Sequence, residues 1–291
     1  MPVQILSTLI VIIAFIFIYR RYKTDNEEFL MVKLIGYYLL GSFRFNFNDL
    51  ALPAGFIVWA AFFKPEINKT VKKAIVYLGL CSFLLGVLIP FTQKAYFERE
   101  RVVNASSNNI YNIDFNKDYD AIKQKIGINE HARIEDFQAD FDLSGIINKL
   151  SYTFLTNDIN GIIVLYKVNY RTDKNKYTIK STKVNQWLQY DRLIFDDEFF
   201  CDLKHLDIKK AIPEEEYPYY TVKCSGSYPD WGVESFDNYL FTGNNFVKVD
   251  EDKSPVKGLV FWVFGNKRTD EGDHISYSSD NNRSYVIPGI K

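Results

Sequence analysis

The sequence predicts a multi-pass α-helical membrane region of about four spans, followed by an extracytoplasmic α+β domain that is mostly antiparallel β. Three observations predict it: uncharged apolar runs confined to the first third, Lys and Arg clustered beside those runs, and apolar alternation between short polar loops thereafter. Charge divides at the same place. Residues up to Gln93 hold nine Lys+Arg and five Asp+Glu, and the remainder holds 26 and 31. An asymmetry of this kind marks two environments. The boundaries drawn are 1–93 for the membrane region and 94–291 for the outer domain, with a division into two subdomains expected near 191–198.

The first run, Val3 to Tyr19, carries no charge. Each Leu, Ile, Phe or Val near mid-membrane favours insertion by about 0.3 to 0.6 kcal/mol, so the whole run favours it by several. A cleaved leader has its positive charge ahead of the apolar stretch. Here Arg20, Arg21 and Lys23 follow it, which predicts an uncleaved span over 3–19. A second clear run, Ala74 to Phe91, follows Lys64, Lys69, Lys72 and Lys73, and predicts a span over 74–91.

Phe29 to Phe63 is too long for one simple span and is interrupted by the polar segment Arg44 to Asp49. Both flanking basic loops belong on the cytoplasmic face, so the chain between them crosses an even number of times. The expectation is a hairpin with arms at 29–43 and 50–63; a re-entrant pair that never fully crosses gives the same outer topology. Either version puts the chain in the cell membrane with its C-terminal domain extracytoplasmic, and makes the lipid bilayer its first partner. Within these runs Lys33 lies near the cytoplasmic end, where its stem can snorkel.

Beyond Gln93 the chain is long enough to bury a core of its own. Tyr119, Ile122 and Ile126 share a helical face that ends at Gly127, which predicts a short amphipathic helix over 117–128. Period-two alternation then takes over at Phe137 to Phe141, Leu150 to Phe154, Ile162 to Tyr170 and Tyr177 to Val184, predicting a four-stranded antiparallel meander packed on that helix. A second helix is expected over Phe199 to Ile212, stopped by Pro213. Further strands are expected at Tyr219 to Cys224, 239–242, 246–249, 259–264 and 285–287.

The chemistry-bearing residues are scattered. Cys81 lies in a span, where a thiol acts as a small hydrophobe. Cys201 and Cys224 both lie in the outer domain, where an oxidising exterior permits a disulfide between them. His131, His205 and His274 form no HExxH or HxH pattern, although Cys201 and His205 stand four apart on one helical face. The acidic groups at Asp196 to Glu198, Glu214 to Glu216, Asp250 to Asp252 and Asp270 to Asp273 lack EF-hand spacing and read as solvated turns. Asp140 and Asp142 read as one polar strand face. No P-loop, GxGxxG or GxSxG is present. No catalytic residue, metal ligand or cofactor is therefore expected.

The net acidic outer domain disfavours nucleic acid. Its aromatics, Trp187, Trp231, Trp262 and the EEEYPYYTV segment among them, read as core by default. The resulting expectation is a bacterial-type integral membrane protein with a non-enzymatic extracytoplasmic binding or sensing domain, whose partner is a protein, a cell-wall component or a small ligand. Its Lys, Asn, Ile and Tyr bias prompts the bacterial assignment. Two alternatives stand beside it: an envelope-associated hydrolase using carboxylates with His205 or His274, and a transport accessory or channel subunit. The accessory reading gains if polar helix faces line a common path, and loses if the helices pack through apolar and small residues.

Overall fold

The computed structural model describes residues 2–48, 50–157, 161–184, 187, 190–227, 236–249, 258–271 and 274–288; the side chains of 2–4, 268–271 and 274–281 lie outside that description. The chain divides into two units, Met1–Tyr96 and Phe97–Lys291.

The first unit holds α1 (Pro2–Tyr22), α2 (Leu30–Ser42), a two-stranded hairpin of β1 (Phe45–Phe47) and β2 (Leu50–Leu52), α3 (Ala54–Phe62) and α4 (Lys69–Glu98), whose last turn enters the second unit. Among the described residues, only α1 and α4 are long and apolar enough to cross a membrane. That corrects the expectation of about four spans and the four-span fold class built on it. The physical reason is length. At 1.5 Å per residue, α2 with 13 residues and α3 with nine reach about 20 Å and 14 Å, against a hydrocarbon thickness of about 30 Å. The 29–63 segment does turn back on itself. Its polar middle is an antiparallel hairpin, and α3 begins only after Pro53.

Two features hold this unit together. At the end carrying the basic loops, the Glu27 carboxylate accepts from Lys33 Nζ and Lys72 Nζ, each at 2.8 Å, and from Asn68 Nδ2. Asn68 Oδ1 in turn accepts from the backbone N–H groups of Thr24 and Asp25. The basic stretches 20–23 and 64–73 therefore meet at one end, and Lys33 is ion-paired there. Along the helices, α2 and α4 approach so closely that a Cβ on Gly41 would collide with the Val76 carbonyl, and one on Gly79 with the Tyr38 carbonyl. Packing through small residues is how helices associate where no water drives them together.

The second unit is a ten-stranded sheet whose described helices pack on one face. Its elements are β3 (Arg101–Asn104), α5 (Phe115–Ile126), β4 (Arg133–Phe141), β5 (Ile147–Asn157), β6 (Ile163–Arg171), β7 (Lys176–Val184), α6 (Asp196–His205), α7 (Ile208–Ala211), β8 (Tyr219–Cys224), β9 (Asp237–Phe241), β10 (Phe246–Lys248), β11 (Gly258–Glu271) and β12 (His274–Pro288). The spatial order is β10-β9-β12-β11-β8-β4-β5-β6-β7-β3. The antiparallel meander expected from the alternation is present as β4 to β7. The strands after α6 join the same sheet, because β8 pairs with β4 rather than starting a new layer. Among the described pairings, β12 with β9 is parallel and the rest are antiparallel.

Alternation decides which face is covered. Phe137, Ala139 and Phe141 of β4 and Tyr220, Val222 and Cys224 of β8 point into the core, where they meet Tyr119 and Ile122 of α5 and Phe199, Phe200 and Leu203 of α6. Gln138, Asp140, Thr221 and Lys223 occupy the opposite face, in register across the β4–β8 pair. Helix α5 is capped at its start by Asp114, which accepts from Lys117 N, and ends at Gly127 as its spacing predicts. The second helix breaks in two at Leu206 and Asp207, so 199–212 is not one continuous helix.

Candidate functional site

A cleft of about 610 Å³ lies in the sheet unit between the segment leading into α5 and the α6–α7 pair. Its size falls in the range of small-molecule sites. The lead-in is held away from the helices by a set of hydrogen bonds to the turn between β4 and β5. Asn109 Oδ1 accepts from Tyr111 N, Asn109 Nδ2 donates to Ser144 O, Ile110 N donates to Gly145 O, and Tyr111 Oη donates to Leu143 O. The turn is fixed by Asp142, which accepts from Ser144 Oγ at 2.6 Å and Ile146 N at 2.9 Å; the Ser144 hydroxyl leads the set of donors that hold its carboxyl below the usual range. Gly145 has φ +88°, and a Cβ there would lie 2.5 Å from the Tyr111 ring and 2.6 Å from Asn109 Oδ1. Only glycine satisfies both constraints.

The floor of the cleft is apolar. Phe115 stacks on Phe200 at 6.5 Å between centroids, and Ile110, Leu203 and Leu206 complete it. The rim is polar, with Asn112 and Asn116 on one side and Lys204 and Lys209 on the other; Lys209 Nζ lies 6.0 Å from the Tyr111 ring centroid. The lining contains no His, Cys or Ser. An apolar floor with a few converging polar groups, Asp114 and Asp207 among them, suits a ligand of mixed polarity.

The residues singled out from the sequence lie elsewhere. Cys201 and Cys224 are both free thiols: Cys201 is exposed on α6, whereas Cys224 is buried at the end of β8, where desolvation pushes its thiol up to about 12. Cys201 and His205 lie on one face of α6, with Sγ 3.9 Å from Nε2, and the His205 ring packs against Phe241. His274 opens β12. Trp231 and Asp250 to Asp252 lie outside the described residues, as do the side chains of Asp270 to Asp273. Glu214 to Glu216 are exposed as expected, while Tyr217 and Tyr220 of the Tyr-rich segment are buried in the core. Asp140 accepts from Thr221 Oγ1 at 2.7 Å on the outer sheet face, and Asp142 holds the turn already described, so the two do not converge.

One acidic cluster departs from its solvated reading. His131, Asp196 and Asp197 bring three potential ligand atoms within 4.8 Å of one another. Asp196 is only 1% exposed, however, and its carboxylate already accepts from Lys123 Nζ at 2.8 Å, Tyr119 Oη at 2.9 Å and Ala132 N at 3.2 Å. An ammonium occupies the place a metal ion would take, so the cluster is a buried ion pair that locks α5 to α6.

Residues 116–260 match a family described only as archaeal. The match covers just under half of the chain, and the stretch includes α6, α7 and Asn116 but not the 109–115 lead-in that forms the other wall of the cleft. It overturns the bacterial-type assignment and the function framed on it. Residue bias reports codon composition, which bacteria and archaea share, so it carried no lineage. No curated protein and no solved structure matches the chain. Sequence reasoning missed the cleft altogether. The available signal was the run NNIYNIDFN at 108–116, dense in turn-forming Asn immediately ahead of a helix cap.

Proposed function

We propose that residues 1–96 attach the chain to a bilayer, and that the sheet unit, on the extracytoplasmic side, takes a small ligand of mixed polarity in the cleft between the 110–116 segment and α6–α7. One observation carries the attachment. Of the 35 large apolar side chains that are exposed among the described residues, 30 lie in residues 1–96. Apolar exposure on that scale calls for a cover, and lipid is the cover that matches helices as apolar as α1 and α4. The side follows from charge. With two crossing helices, the basic stretches 20–23 and 64–73 fall in the single connection between them; the Glu27–Lys72–Asn68 cluster ties the two ends of that connection together. Retention of Lys and Arg on the inner face then puts both termini outside. The cleft supports binding by its volume, its stacked floor and its polar rim.

The native thiols supply the test. Cys201 is exposed, Cys224 is buried and Cys81 sits on the apolar helix α4. A membrane-impermeant maleimide applied to intact cells is expected to modify the wild-type chain and not Cys201→Ser. Labelling that appears only after lysis would reverse the orientation. A chain that leaves the membrane fraction at alkaline pH would remove the attachment.

A further inference from the structure

The basic end of the first unit carries more positive charge than its own carboxylates neutralise. Residues 20–33 and 64–73 hold eight Lys and Arg against four Asp and Glu. Hydrogen bonds between Asn68 and the backbone of Thr24 and Asp25 bring the two stretches together, with Lys23 and Lys69 each one residue from that link. Glu27 pairs with Lys33 and with buried Lys72, and Asp25 accepts from the Thr24 hydroxyl. Arg20, Arg21, Lys23, Lys64, Lys69 and Lys73 are all exposed. Among the described residues, none of the six has a carboxylate at ion-pair distance.

Their level along the helices decides what faces them. In α1, Arg20 and Arg21 come about one turn after exposed Ile16 and Phe17; in α4, Lys69 and Lys73 come before exposed Tyr77, Leu84 and Leu85. Lys23 Nζ lies 5.6 Å from the Tyr19 ring centroid and Lys73 Nζ 5.9 Å from that of Tyr77. A tyrosine on each long helix therefore marks the edge of the apolar band, the level at which such rings sit in a bilayer. Cations one turn beyond that edge stand among lipid headgroups, continuous with the apolar surface that the acyl chains cover. Positive charges gathered there repel one another. An anionic head relieves that repulsion, whereas a zwitterionic head brings a cation along with its phosphate.

We infer that these six cations form a docking surface for anionic lipid headgroups, which gather around the basic end of α1 and α4 in preference to zwitterionic ones. The inference rests on the bilayer attachment proposed above. The test reconstitutes the full chain into phosphatidylcholine vesicles carrying a trace of spin-labelled phosphatidylglycerol or spin-labelled phosphatidylcholine. Electron spin resonance then reads the share of each label that the protein immobilises. The wild type is expected to favour phosphatidylglycerol about fivefold, the ratio that one Lys or Arg at a charged membrane surface confers. Raising the salt from about 0.1 M to about 1 M shortens the screening length from about 10 Å to about 3 Å and is expected to bring the ratio close to one. Changing Arg20, Arg21, Lys23, Lys69 and Lys73 together to Gln is expected to do the same at low salt. Lys149→Gln with Lys167→Gln, which removes exposed charge from the sheet unit, is expected to leave the ratio unchanged. Equal immobilisation of the two labels by the wild type, or a preference that survives either high salt or the five Gln substitutions, overturns the inference and leaves the attachment standing. So does a preference that added polyglutamate abolishes while itself staying bound to the vesicles, because the surface then suits a soluble acidic protein. A chain that immobilises neither label has not entered the bilayer, and overturns the attachment and the inference with it.

Discussion

Removing the Asp196 carboxylate is the sharpest perturbation of the sheet unit. It is almost fully enclosed and accepts from three groups: the Lys123 ammonium, the Tyr119 hydroxyl and the Ala132 N–H. Tyr119 is itself buried, and its hydroxyl is held well above its ordinary pKa, first by burial and then by the Asp196 charge, so it stays a donor. In Asp196→Ala, Lys123 can turn its partly exposed amine to water, but the Tyr119 hydroxyl and the Ala132 N–H cannot. Each buried donor left without an acceptor costs about 1 to 3 kcal/mol, and breaking a buried pair from one side costs about 3 to 5 kcal/mol. The expected loss is therefore about 3 to 5 kcal/mol, a large share of the stability of a typical domain.

Tyr119→Phe removes one charge-assisted bond and is expected to cost about 1.5 to 3 kcal/mol. The double variant should lose about 1 to 2 kcal/mol less than the sum, because the phenyl ring leaves no orphaned hydroxyl. Urea unfolding of the full chain in detergent, followed by tryptophan emission, reports the effect, since three of the four tryptophans follow residue 97. An Asp196→Ala cost below about 1 kcal/mol, or a double variant additive to within about 0.5 kcal/mol, would refute the lock between α5 and α6.

Three further outcomes follow from the same reasoning. Burial, and secondarily Glu198, raises half-buried Asp202 from 3.8 to about 6. The folded state then binds the extra proton between those values, so stability falls as pH rises through 3.8 to 6 and is level above. With a discount for solvent screening, Asp202→Asn is expected to gain about 1 kcal/mol over the wild type at pH 7 and nothing at pH 3.5, read from unfolding midpoints; an equal gain at both values rules the charge out. Glu27 is lowered from 4.5 to about 2 by its hydrogen bonds to Lys33 and then Lys72. It stabilises the helical unit fully above pH 4.5 and loses that contribution as pH falls through 2, and Lys72→Met should move its carboxyl-carbon NMR titration back toward 4.5. Gly145→Ala forces a left-handed residue with a Cβ against Tyr111, and is expected to cost about 1 to 3 kcal/mol while raising hydrogen exchange at Ile110 and Tyr111. Unchanged exchange there would mean that the turn does not hold the cleft wall.

Much of the sheet unit was legible in the residues. Phe137, Ala139 and Phe141 alternate with Gln138 and Asp140, and a strand has one covered face, so the pattern states both the strand and its buried side. Tyr119, Ile122 and Gly127 mark α5 in the same way. What escaped was whatever depends on a partner distant in sequence. Asp196 looks like a member of a solvated acidic run until Lys123, 73 residues away, closes over it. Strand β3 is four residues long and acquires meaning only from its pairing with β7. The run 29–63 carried enough hydropathy for two passes, but hydropathy counts apolar side chains and not the helix length that Pro53 and the β1–β2 hairpin leave to them.

Local chemistry therefore determined two things about this protein by itself: an apolar first third with its basic residues gathered in particular loops, and a mostly-β second part with its buried faces marked. Both are written in nearest-neighbour periodicity, which any stretch of chain carries alone. Tertiary structure decided how many of the described helices are long and apolar enough to cross a bilayer, that the ten described strands after Tyr96 share one sheet, where the cleft beside α6 opens, and that Lys123 neutralises Asp196. Those outcomes depend on contacts between residues far apart along the chain, and no local pattern encodes which of them will meet.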